Sequence, residues 1–411
     1  MRIPKEYIIL LTVLVGGIII HSLHFGSYLN FSTDQAAFSI RALEILKNKN
    51  VELIGPSISF HYIGRDIYQG SITYYVILLF LLVSNFDPIL GSYLYMLVSM
   101  IMVIPLYLGV KKLVNQPAAF FVAGVYSFLP FYIDYSRFFW NPNFQFSFTP
   151  LLILFIGLFN KTAKNIYAFL VGFSAGILLL FHYQYAIVIA GLLIYYSLLN
   201  KTSFKQFLLL TIGVTVGFSP LIIFELRNQF YNLQTILLYL QNSEEIFTST
   251  SSFNFHYILS ISLFALTILA YFLRNYLHRP HILTGIIVIL SVTSFVTYIL
   301  PPSHAFGMKD SWNFIYEKKA NDIIMSQDTL NYNIVHQGYD TVATVQKFLL
   351  KTKGVSIDYD DYYHNKYLYI ISDRKDYMDD PAYEVATFKP SIEIKNWKIN
   401  NKYILYLRSR K

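Results

Sequence analysis

The chain has 411 residues, 55% of them hydrophobic and 18% aromatic, and only 14% charged. A water-facing domain carries about 25% charged residues, so a soluble enzyme is excluded over most of the length and several apolar spans of ~17–25 residues are expected. There is no cysteine, which removes disulfides, thiolate zinc sites and cysteine nucleophiles, and the net charge of +8 belongs to membrane orientation, not to nucleic-acid binding.

The N-terminus, MRIPKEYIILLTVLVGGIIIHSLHF, sets basic residues before an apolar run too long for a signal-peptide core and followed by no small-x-small cleavage site. It reads as a retained anchor. Apolar runs follow at 89–110, 117–132, 145–160, 166–181, 183–199, 206–224, 254–273 and 282–300, and the shorter SITYYVILLFLLVSNF (71–86) is ambiguous by length. Charge parity decides its place. Arg2/Lys5, Lys111/Lys112, Lys161/Lys164, Lys201/Lys205 and Arg274/Arg279 all fall on one side only if 71–86 does not cross. The positive-inside rule makes that side the cytoplasm.

The expected fold is therefore mainly α. A polytopic bundle of about nine spans occupies 1–302, with a cytoplasmic N-terminus, in the plasma membrane. Its first outer loop, 26–88, holds an amphipathic helix and the short interfacial or re-entrant segment. Residues 303–411 follow Pro301-Pro302 and carry 16 Lys/Arg against 14 Asp/Glu, with no spanning run. They read as a small external α/β domain, with strands at YNIV (332–335), KYLYIIS (366–372) and KYILYLR (402–408) and a helix at TVATVQKFLLKT (341–352).

The expected spans are nearly free of ionisable residues, unlike those of proton-coupled transporters. Polar groups gather instead at the outer ends of spans. In FSTDQAAFSIRALEIL (31–46), Asp34, Arg41 and Glu44 recur near helical spacing beside an apolar stripe, so a surface helix is expected with Thr33 or Asp34 as its N-cap or Asp34 as a reactive carboxylate. In LIGPSISFHYIGRDIYQGSITYY (53–75), Gly55-Pro56, Gly64 and Gly70 mark turns around His61, Arg65, Asp66 and Tyr68. YIDYSRFFWNPNFQF (132–146) supplies Arg137, Trp140, Asn141 and Asn143: a cation for phosphate, an aromatic face and two amides for a sugar. His182 in LLLFHYQYA and Glu225/Arg227 in FELRNQFYN arrive at the same depth. Each segment alone also fits a structural role, such as an interfacial belt, a helix cap or an ordinary connector.

Taken in order, these segments resemble the GT-C superfamily of integral-membrane glycosyltransferases, specifically bacterial members similar to protein O-mannosyltransferases and the lipid A aminoarabinose transferase. The resemblance covers about residues 1–300. It rests on Asp34 and its helix with Ala42, the Gly-Pro…Gly…Tyr-Gln-Gly…Tyr-Tyr loop at 55–75, and Tyr135-Ser136-Arg137…Trp140-Asn141-Pro142-Asn143. GFSAGILLLFHYQ (172–184) and Phe224-Glu225-Leu226-Arg227 complete it. Many relatives have Asp-Glu where this chain has Asp34-Gln35, and a His-Pro-Pro or Lys-Pro-Pro run where it reads YQGSITYY.

The resemblance implies inverting transfer of a sugar from a polyprenyl-phosphate donor, at the outer face, to a glycan, glycolipid or protein acceptor. Asp34 is the implied general base. Arg65 and Arg137, with Arg227 or His182 as alternates, would meet the donor phosphate. His61, Tyr68, Trp140, Asn141, Asn143 and Glu225 would meet the sugar or acceptor. A divalent cation, Mg²⁺ or Mn²⁺, stays open, with no metal ligand assigned. The competing classes are a flippase for lipid-linked sugars and a non-catalytic subunit of wall assembly.

Overall fold

The structure is a computed structural model that describes residues 4–62, 64–199, 202–241, 255–355, 357 and 361–411, without the side chains of 59–62 and 199. It is mainly helical, with a two-stranded hairpin in the first long loop and a four-stranded sheet near the C-terminus. Among the described residues, four helices are long and apolar enough to cross a bilayer: Lys5–Ser22, Pro88–Leu113, Asn141–Thr162 and Pro280–Tyr298. The pair Phe204–Gly217 and Ser219–Arg227, bent by 65°, makes a fifth if counted as one span. The chain is thus a multi-pass membrane protein.

The remaining expected runs form shorter helices, and proline explains one of them. The run at 117–132 is helical only over Gln116–Phe128, because Pro130 starts a separate turn, Pro130–Tyr135. The ambiguous 71–86 forms a 12-residue helix, Ile72–Val83. At 1.5 Å per residue it reaches about 18 Å, short of the ~30 Å apolar core of a bilayer.

Close packing of glycines governs one helix pair. Gly172 and Gly176 on Asn165–Phe181 face Gly213 and Gly217 on Phe204–Gly217, a small-xxx-small arrangement on both helices. A Cβ on Gly172 would lie 1.9 Å from the Leu210 carbonyl oxygen, and one on Gly176 2.4 Å from that of Val214. Only bare backbone fits, and the C-terminal end of Asn165–Phe181 delivers His182.

The first outer loop is more ordered than its glycine content suggests. The Asp34 helix, Thr33–Asn48, is followed by β1 (Ile54–Tyr62) and β2 (Arg65–Gly70), which pair antiparallel. Gly64, at φ +68°, makes the turn, and a Cβ on Gly55 would collide with the Gly70 carbonyl oxygen at 2.1 Å. In the C-terminal region, β3 (Tyr332–His336), β4 (Tyr367–Ser372), β5 (Ser391–Lys398) and β6 (Ile404–Arg410) lie in the order β3-β4-β6-β5, with β3 and β4 parallel. The three expected strands and the helix Thr344–Thr352 are all present. β5 and the helix Phe314–Met325 were not expected.

A candidate active-site cavity at the ends of the helices

Neither Thr33 nor Asp34 caps the Asp34 helix. Ser32 does, and Gln35 closes the capping box by accepting from the Ser32 backbone N–H at 3.1 Å and the Ser32 hydroxyl at 2.8 Å. This is a correction with a chemical consequence. The carboxylate of Asp34, in the first turn, is left out of the cap and lines a cavity of about 950 Å³.

The cavity draws its walls from six parts of the chain, one of them the helix Ile72–Val83 through Tyr74. Asp34, Ala37 and Phe38 come from the helix, Ser57 and Gln69 from the hairpin, and Trp140 and Asn141 from the start of Asn141–Thr162. His182 and Tyr183 come from the turn after Asn165–Phe181, and His256 and Tyr257 from the turn before Ile261–Leu277. Asn141 donates to the Gln69 side chain and to the Phe181 carbonyl, tying three of these parts together. Gln145, one helical turn further on, donates to the His182 carbonyl at 2.9 Å and accepts from Gln184 at 2.8 Å and Ser260 at 2.7 Å. One buried amide thus holds both histidine-bearing turns.

Asp34 opens onto the cavity but is crowded by protein behind it. That desolvation raises its pKa above the ordinary aspartate value, and a hydrogen bond from the Trp140 indole draws it partly back. His182 is pulled down to about 4 by burial and by the neighbouring His256, whose own pKa is lowered by burial. Both imidazoles are neutral near pH 7. His182 Nδ1 accepts from the Gln184 backbone N–H at 3.4 Å, which leaves its proton on Nε2 as a donor. Trp140 stands edge-to-face with His256, ring centroids 4.6 Å apart. Among the described lining residues there is no Lys or Arg.

Other candidates from the sequence lie elsewhere. Arg137 is fully buried, its guanidinium between the rings of Tyr28 and Tyr298 at 4.6 and 4.2 Å. It donates to the carbonyls of His21 at 3.1 Å and Ile20 at 3.2 Å, satisfying the last turn of Lys5–Ser22. Arg137→Ala is therefore expected to cost stability, on the order of 2 kcal/mol from orphaned carbonyls, and to lower the midpoint of thermal aggregation in detergent.

Glu225 accepts from the backbone N–H groups of Asn232 and Leu233, both at 3.2 Å, and so caps Tyr231–Gln241. Arg65 lies over the Tyr231 ring at 4.4 Å, and Arg227 is exposed at the end of Ser219–Arg227. Tyr68 uses its backbone to bind Asn232, and Asn143 donates to the Phe138 carbonyl. The side chain of His61 lies outside the described residues. Conversely, Gln69, Tyr74, Tyr183 and His256 line the cavity without having been singled out. The first three stand inside the motifs that carry the resemblance, Tyr-Gln-Gly…Tyr-Tyr and GFSAGILLLFHYQ, without a role of their own assigned there.

A divalent cation such as Mg²⁺ seeks several oxygen ligands in near-octahedral geometry. The cavity's described lining has one carboxylate, Asp34, and no group of three His, Asp or Glu suited to a metal occurs among the described residues.

Residues 69–224 match the family model described as dolichyl-phosphate-mannose-protein mannosyltransferase. The segment takes in Gln69, Trp140, Asn141 and His182, and the resemblance to GT-C glycosyltransferases is borne out. No curated protein matches the chain. Among solved structures, the crystal structure of the Archaeoglobus fulgidus oligosaccharyltransferase complex with zinc and sulfate matches at 12% identity and a TM-score of 0.40. That match covers 77% of this chain and 42% of the other, so the chain spans less than half the length of that structure.

Proposed function

We propose that this chain, a membrane glycosyltransferase of the GT-C type, moves a sugar from a polyprenyl-phosphate donor to a hydroxyl-bearing acceptor in the cavity bounded by Asp34, Trp140 and His182. The observation that carries the reading is the convergence itself. Four residues named for this chemistry, Asp34, Trp140 with Asn141, and His182, come from three separate segments of sequence and share one cavity at the ends of the helices.

Cleavage of the sugar C1–O bond leaves a phosphate monoester carrying more negative charge than the donor diester. Donors fixed in place stabilise such charge without reorganising. Of the four residues offered for the phosphate, His182 is the one on the cavity wall, and we place the phosphate there, with His256 beside it. Asn141 and the face of Trp140 then meet the sugar. Asp34 accepts the proton of the acceptor hydroxyl as that oxygen attacks C1 from the side opposite the phosphate. The result is a single displacement with inversion, and no glycosyl-enzyme forms. The acceptor is a glycan, glycolipid or protein of the cell envelope. Charge parity orients the chain with nine crossings, the N-terminus in the cytoplasm, and the cavity and C-terminal region outside.

The test is transfer by the purified protein in nanodiscs, supplied with a radiolabelled polyprenyl-phosphate sugar and envelope acceptors. Label is expected to pass to acceptor. His182→Gln is expected to raise the donor KM about tenfold, the worth of one charge-assisted hydrogen bond, and to leave the acceptor KM alone. Movement of intact donor across the bilayer without transfer would support a flippase instead.

A further inference from the structure

The Asp34 helix is held from two sides. It packs on Ile72–Val83 and also along Thr344–Thr352 of the C-terminal region. Phe31, three residues before Asp34, is fully buried. Its ring meets Phe314 at 5.2 Å and Phe348 at 5.4 Å, one from each C-terminal helix. Val345, Phe348 and Leu349 join the same core as Phe31, Ala36 and Ala42. They lie apart from the C-terminal region's own core around Trp312 and Tyr369. Further along, Lys351 reaches Glu44 at 3.0 Å, and Arg41 bridges Glu44 at 3.2 Å and Glu52 at 2.7 Å. These ion pairs are partly exposed and individually weak. The aromatic contacts are buried and close to the turn that bears Asp34.

A base carried on a helix at the rim of a cavity is only as well placed as that helix, and a displacement of about 1 Å can cost ~10²-fold in rate. We propose that the C-terminal region is a brace for catalysis: Phe314 and Phe348 grip Phe31 and so set the height and roll of the turn that presents Asp34. This rests on the reading of Asp34 as the base. Phe31, Phe314 and Phe348 are positioning residues and touch no substrate. The titratable groups sharing the cavity with Asp34 are His182, His256, Tyr74, Tyr183 and Tyr257, none of them on the brace. His182 titrates in the same acid range, so a shift of the acid limb on loosening the brace is assigned to Asp34 only where it persists in the His182→Gln background.

The experiment compares Phe348→Ala with the conservative Phe348→Leu in the full-length protein in nanodiscs. Phe348→Ala is expected to lower kcat at least tenfold with the donor KM within about twofold. Its acid limb should move to lower pH as Asp34 becomes better hydrated, and Phe348→Leu should recover most of kcat. Because the chain has no cysteine, Ala37→Cys gives a single spin-label site on the same helix, and its spectrum should show greater mobility in the Phe348→Ala background. Inserted, monodisperse Phe348→Ala protein with unchanged kcat, acid limb and label mobility would overturn the brace. If Asp34→Asn itself keeps turnover, the base assignment fails instead, and the label alone then decides whether the brace exists.

Discussion

Asp34→Asn is expected to lower kcat by about 10³-fold, within the ~10²–10⁴ attributed to a positioned general base, while the protein still inserts and still binds donor. Folding should not suffer. A carboxylate whose folded-state pKa is raised favours the fold in its protonated form, and that contribution fades as pH rises through the raised pKa. At pH 7 the ionised side chain is therefore a mild burden that Asn relieves, so the variant should melt no lower than the parent. For the same reason the acid limb of kcat in the parent, where the base must be ionised, should lie above the ~3.9 of a free aspartate. A parent whose rate is flat down to that value would argue that another group takes the proton.

Gly176→Leu should have the second large effect, on assembly. A Cβ at this position would fall 2.4 Å from the Val214 carbonyl oxygen, and backbone on the facing helix cannot step aside as a side chain can. The two helices must part by several ångströms, and His182 at the end of one of them leaves the cavity. The monodisperse fraction after detergent extraction is expected to fall at least tenfold. Gly191→Leu is the matched control, since a Cβ there meets nothing within 4 Å. Equal recovery of the two variants would show that the glycine contact does not govern the fold.

The sequence revealed more of the cavity than of its supports. Asp34, Trp140, Asn141 and His182 stand at the ends of apolar runs, so their common depth follows from where hydropathy stops. Arg137 shares that depth, yet it faces the end of Lys5–Ser22. Which carbonyls a helix end leaves bare, and which cation comes to them, is decided by packing between segments more than 100 positions apart. Glu225 was similarly opaque, because it caps a helix that begins after a chain reversal through Gln229 and Phe230 at positive φ. His256 belongs to no spacing pattern at all.

Local signals served better where local physics decides. Ser32 and Gln35 stand three apart, as a capping box requires, and Thr33 and Asp34 lie one and two positions past the true cap. The hairpin at 54–70 read as a connector because its bulges, between Ile54 and Ser57 and between Ser57 and His61, break strict alternation. β5 hid for the same reason: SIEIKNWK alternates until the irregularity between Glu393 and Lys395.

The central claim is that the cavity holds the phosphate end of a lipid-linked sugar. Electron cryo-microscopy of the protein in nanodiscs with a short-chain polyprenyl phosphate tests it most directly. The predicted result is phosphate density within hydrogen-bond reach of His182, with the chain leaving toward the bilayer past the Asp34 helix. Phosphate density at Arg65 or Arg227, with the cavity bordered by Asp34 and His182 empty, would contradict it.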